Sequence, residues 1–141
     1  MSSPPDWLEP IDHTADAGFT VRAPDLPSLF GRAAWALFAI ITDPASVRPA
    51  ETLAVTVSAP DRDALLMQWL SELNFIHQTR GLVFGDFVVT ACSDTQLTAQ
   101  VKGEKIDPAR HTVYTEIKAV TFHGLTVARQ ETGWLARSEE H

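Results

Sequence analysis

Two stretches set far apart, Asp12-His13-Thr14-Ala15-Asp16 and Glu116-Ile117-Lys118-Ala119-Val120-Thr121-Phe122-His123, place charged, hydroxylic and imidazole side chains between apolar neighbours. Core packing does not require that mixture, because buried polar groups are tolerated only when paired. Asp12 and Asp16 bracket His13 and Thr14 in a segment without helical periodicity, so their carboxylates can face one point. Hard cations such as Ca²⁺ and Mg²⁺ take oxygen ligands of this kind. The same side chains also have a plainer use, bonding nearby backbone amides in a turn. In the stretch Gly103 to His111, Glu104, Asp107 and His111 are candidate ligands or acid-base groups, against the alternative of a solvated connection. Lys118 stands in an apolar run whose alternation can turn it to either face, and an inward lysine needs a carboxylate partner.

Other chemistries have no pattern to carry them. No EF-hand spacing, phosphate-cradling glycine loop, Cys/His zinc pattern or nucleophile elbow occurs in the sequence. Cys92, the single cysteine, closes the run Val88-Val89-Thr90-Ala91 with no base beside it, and reads as an inert thiol at a strand end.

These residues must be held by a framework, and the sequence predicts one. Its 141 residues, 45% apolar and 21% charged, suit one soluble domain spanning 1–141. A formal charge of -7 argues against strong direct nucleic-acid binding and is compatible with a basic protein partner. The opening Met1 to Asp6 lacks a basic region and an apolar core, and no apolar run approaches the ~20 residues of a membrane span. A cytoplasmic protein is expected. The oligomeric state has no signature.

Leu26, Phe30, Ala33, Ala34, Leu37, Phe38 and Ile41 recur at helical spacing, with Asp25 as cap, Pro27 in the first turn and Asp43-Pro44 as the stop. Leu66, Trp69, Leu70, Leu73 and Ile76 mark a second helix that begins near Asp61 and stops before Arg80-Gly81. Trp35 and Trp69 are assigned to the core. Strands are predicted at Phe19 to Arg22, Leu53 to Ser58, Leu82 to Cys92, Gln96 to Lys102, Val113 to Phe122, Leu125 to Ala128 and Trp134 to Ala136. Turns at Ser93-Asp94-Thr95 and His123-Gly124 make the second half antiparallel. The expected fold is α+β, with two amphipathic helices packed on one mixed, mostly antiparallel sheet.

Taken together, these segments resemble the archease family. Its His-Thr-Ala-Asp motif stands at His13 to Asp16, and its first helix at Leu29-Phe30 to Leu37-Phe38. Its second helix stands at Leu65 to Leu73 and its Gly-Glu element at Gly103-Glu104, with Asp107 and His111 following. The Lys-Ala-Val-Thr-aromatic-His signature stands at Lys118 to His123, and the resemblance spans Leu8 to Ala136.

The resemblance implies a non-catalytic partner of an RtcB-type RNA ligase. Such a partner acts in tRNA splicing and RNA repair, promoting formation of the guanylylated ligase and repeated turnover. It also implies a divalent ion, Ca²⁺ first and Mg²⁺ or Mn²⁺ as alternatives, bound by the motif aspartate, a second aspartate and the C-terminal carboxylate. Asp16 matches the first of these. The family's closing apolar-Asp-apolar strand is replaced here by Ser138-Glu139-Glu140-His141, so Glu139 or Glu140 would take the second place and His141 the third. A weakened site, or one completed only against the ligase, is the alternative. Two other functions stay open. One is an enzyme using His13, Asp16, His123 and Glu104 as acid-base groups on nucleotide or RNA ends. The other is a chaperone or scaffold holding partners through an exposed apolar patch.

Overall fold

The first half of the chain builds its helices from local signals. In the computed structural model, which describes residues 5–12, 17–117, 120 and 125–140, helix α1 runs Leu26–Ile41. Asp25 Oδ1 accepts from the Ser28 amide at 2.8 Å, and this bond, its largest cause, lowers the Asp25 pKa. Helix α2, Arg62–Arg80, starts with the Asp61 carboxylate accepting from the Ala64 amide at 2.8 Å. It ends where Gly81 takes a left-handed φ of 65°, a conformation that costs glycine little.

Among the described residues the remaining segments form seven strands: β1 Leu8–Asp12, β2 Ala17–Ala23, β3 Glu51–Ser58, β4 Leu82–Cys92, β5 Gln96–Lys105, β6 Thr126–Gln130 and β7 Gly133–Glu140. They form two sheets rather than the one mixed sheet expected, ordered β1-β2-β7-β6 and β3-β5-β4, and every pairing is antiparallel. Helix α1 packs against β2 of one sheet and β4 of the other, and α2 packs on α1 and reaches both sheets. Leu29, Phe30, Leu37, Phe38, Leu66, Trp69, Leu73, Phe84 and Val101 join the two layers in one core. Gly103 matters at the β4–β5 pairing, because a Cβ there would stand 1.9 Å from the Val83 carbonyl oxygen.

Two elements depart from the sequence pattern. β1 was not foreseen, its Glu9 and Pro10 interrupting any apolar alternation. Conversely, the described part of Val113 to Phe122 forms no strand up to Ile117. Its main-chain groups are engaged by the helices instead. Tyr114 N–H donates to Ile41 O at 2.8 Å, Thr42 Oγ1 donates to Thr112 O at 2.7 Å, and Asn74 Nδ2 and Gln78 Nε2 both donate to Ile117 O.

Candidate functional site

β2 lies between β1 and β7, and the registers bring three strands to one end of the sheet. Asp12 pairs with Ala17, and Ala17 pairs with Glu140, so these three positions form a single row across the ladder. Gly18 pairs with Glu139 in the neighbouring row. Asp16 therefore precedes one member of the terminal row in sequence, and His141 follows another. His13, Thr14, Asp16 and His141 lie outside the described residues, as do the side chains of Asp12, Glu139 and Glu140. Lys118 and His123, with the expected His123-Gly124 turn, lie outside them too. Among the described residues, no group of three or more His, Cys, Asp or Glu is placed to hold a metal. The donors that the register gathers at this sheet end are carboxylate-bearing residues, the chemistry that hard divalent cations select.

Glu104, Asp107 and His111 do meet, but as a structural joint. Glu104 Oε2 accepts from the Arg48 amide at 2.6 Å and faces His111 Nε2 at 3.2 Å, while Oε1 pairs with the Arg110 guanidinium. The Arg48 amide is the largest cause holding the Glu104 carboxyl down at about 2. His111 Nδ1 accepts from the Asp107 amide at 2.8 Å, which leaves the ring proton on Nε2, pointed at Glu104. The His111 side chain is buried, and Asp107 Oδ1 caps the Ala109 amide at 3.0 Å. Arg110 also donates to Ser46 O at 3.1 Å, so the cluster bolts the 106–111 turn to the loop after Pro44–Ser46. Asp107 stays exposed as a turn residue, whereas Glu104 is tied into the joint by Arg48, Arg110 and His111.

Cys92 ends β4, half-buried, and burial pushes its thiol up to about 11, so little thiolate forms at neutral pH. Trp69 is fully buried with Nε1 donating to Phe30 O at 2.9 Å, as assigned. Trp35 is a correction, because it is only partly buried at the edge of the core, where it meets Trp7 edge-to-face at 5.5 Å. The reason is geometric: Trp35 precedes the buried Ala36-Leu37-Phe38 run on the flank of α1. Sequence reasoning also missed Asn74, buried on α2, whose Oδ1 has no partner among the described residues. A polar residue at a core position of a helical pattern was the available signal.

Comparison with known proteins places this geometry. Residues 8–138 match the Archease protein family. The protein archease of Methanopyrus kandleri is 40% identical over 133 residues, covering 92% of this chain and 94% of that one. The protein archease of Methanothermobacter thermautotrophicus is 39% identical over 127 residues, covering 88% and 90%. The solution structure of Methanobacterium thermoautotrophicum protein 1598 superposes with a TM-score of 0.78 at 36% identity, covering 95% of this chain and 97% of that one. The crystal structure of an archease from Thermotoga maritima, described as a possible chaperone, shares the fold with a TM-score of 0.54 at 14% identity, covering 94% and 93%.

Proposed function

This chain belongs to the archease family, and from that premise we propose that it is a non-catalytic activator of an RtcB-type RNA ligase. In this reading it serves tRNA splicing and RNA repair by promoting guanylylation of the ligase and hence many turnovers. The observation that carries the reading is the Asp12–Ala17–Glu140 row, which sets the two strand residues that flank the motif in sequence beside the end of β7. Asp16, Glu140 and His141 would hold a hard divalent cation there, Ca²⁺ first, with Glu139 in the adjoining row as the alternative carboxylate. Such an ion supplies a positive centre on an acidic surface, able to meet oxygen ligands of the partner.

The described side chains support a partner role over catalysis. The pKa of the Cys92 thiol is raised, and Glu104 and the buried His111 are engaged with each other in their turn. No helix among the described residues is long and apolar enough to cross a membrane, which fits a role beside a soluble ligase.

The test is ligation by the cognate RtcB-type ligase held well below the RNA concentration, with GTP and metal, with and without this protein. Many turnovers only in its presence are expected. Unchanged turnover would sink the proposal. Cleavage or transfer by this protein alone, lost in His123→Ala, would favour the enzyme. Activation indifferent to chelation would favour the scaffold.

A further inference from the structure

A crevice of about 400 Å³ opens between α1 and β4, with Trp7 and Trp35 as walls, Gly31 on the helix side, and Asp86 and Val88 on the strand side. Beside it, a notch of about 230 Å³ lies between the β2–α1 connection and the β6–β7 turn, lined by Arg22, Pro24, Thr132 and Trp134. Arg32 lines both hollows, so the two adjoin at one residue.

Arg32 is fixed before any ligand arrives. Its guanidinium carbon sits 5.3 Å from the Trp7 ring centroid, and its Nη1 donates to the Arg22 carbonyl at 2.7 Å. No carboxylate stands within ion-pair distance of it among the described residues, although its charge helps to lower the Asp25 pKa. A guanidinium carries five N–H donors in a rigid fork, so most of them remain to meet a planar or tetrahedral anion. Arg22 adds a second guanidinium, whose partner is the exposed Glu9 carboxylate at 2.8 Å, a solvent-screened pair that an anion can displace at small cost.

The crevice supplies the complementary half. Trp7 and Trp35 are partly buried indoles packed edge-to-face on each other at 5.5 Å, and one apolar wall of this kind takes an aromatic ring by stacking or edge contact. Gly31 lets α1 sit close on β4 at the crevice, where a Cβ would stand 3.3 Å from the Phe87 carbonyl oxygen. Its volume falls in the range of ~300–1,000 Å³ usual for small-molecule sites. Asp86, exposed at its rim, can accept from ring N–H or amino groups.

We propose that the two hollows form one binding site for a nucleotide, its base in the Trp7–Trp35 crevice and its phosphate in the Arg22–Arg32 notch. Thr132 at the notch offers a further hydroxyl donor. The chain's charge of -7 opposes a long polyanion lying along its surface, so recognition is confined to one nucleotide unit, either free or within a single strand. The site rests on its own residues and does not depend on the ligase reading.

Titration of the isolated protein with GMP and AMP, followed by indole fluorescence and repeated by NMR or calorimetry, tests it. Saturable binding is expected, with guanosine at least about tenfold weaker than GMP, the loss of a charge-assisted contact. Arg32→Ala should weaken GMP by a similar factor and leave guanosine unchanged, while Arg32→Lys should fall between. Val88→Glu, at an exposed position of the crevice, should weaken all of them and guards against a misfolded Arg32 variant. A short single-stranded RNA binding more tightly than the mononucleotides identifies a strand as the source, whereas equal affinity identifies a free nucleotide. Absence of saturable binding by GMP, AMP and the RNA, equal binding of guanosine and GMP, or indifference to both Arg32→Ala and Val88→Glu would overturn the proposal.

Discussion

Glu140 stands directly opposite Ala17 in the antiparallel β2–β7 ladder, which makes neighbours of residues from opposite ends of the sequence. The pairing joins the residue after Asp16 to the residue before His141, with Asp12 on the far side of the same row. A ligand set drawn from both ends of the sequence, as proposed, would exist only when this register forms.

The first prediction addresses that row. Asp16→Ala should abolish ligase activation while shifting stability by no more than about 1 kcal/mol, the scale of a turn carboxylate's local hydrogen bonds. Multiple-turnover ligation together with a thermal melt measures both, and retained activation would remove the metal hypothesis.

Ion binding itself is open to calorimetry. Ca²⁺ titrated into the protein should give a saturable heat that is lost in Asp16→Ala and reduced in Glu140→Gln. If Glu139→Gln reduces it and Glu140→Gln does not, the second carboxylate comes from the adjoining row.

Glu104 predicts an acid limb of stability. Its folded pKa of about 2 lies below the ordinary glutamate value of 4.5, so it contributes stability that is fully present above about pH 4.5 and lost as pH falls toward 2. Equilibrium unfolding from pH 6 to 2 should show this slope in the native protein and a flatter one in Glu104→Gln. At neutral pH that variant should be about 1–3 kcal/mol less stable, because Arg48, Arg110 and His111 lose a charged acceptor.

Gly103→Ala should be among the most damaging single-methyl additions. The added Cβ would lie 1.9 Å from the Val83 carbonyl oxygen and 2.9 Å from Phe84 Cα, and both are backbone atoms of the paired strand. A loss of about 3 kcal/mol or more in denaturant unfolding is expected, since the β4–β5 ladder itself must shift. A native-like midpoint would show that the strands separate there at little cost.

Cys92 should behave as a bystander. With its pKa raised to about 11, alkylation at neutral pH should be slower than for a free thiol and should accelerate as pH rises toward that value. Cys92→Ser should activate the ligase as the native protein does.

By itself the sequence determined what local physics determines. The helices Leu26–Ile41 and Arg62–Arg80 were legible because their caps, stops and apolar period lie within a few residues of one another. β4 and β5 were legible for the same reason, their alternation flanking the short Ser93-Asp94-Thr95 turn. The ordered motifs from His13 to His123 carried the family. Tertiary structure alone decided that the strands divide into two sheets, because alternation marks a strand without naming its partner. It also decided that residues 112–117 stay out of both sheets, since donors from Thr42, Asn74 and Gln78 claim carbonyls that a ladder would have used. Glu104, Arg110 and His111 became a joint, and Arg32 the link between two hollows, only when segments distant in sequence closed on them. Register and contact are long-range properties of the folded chain, and a residue's type records what it can bond with, not what the fold brings to it.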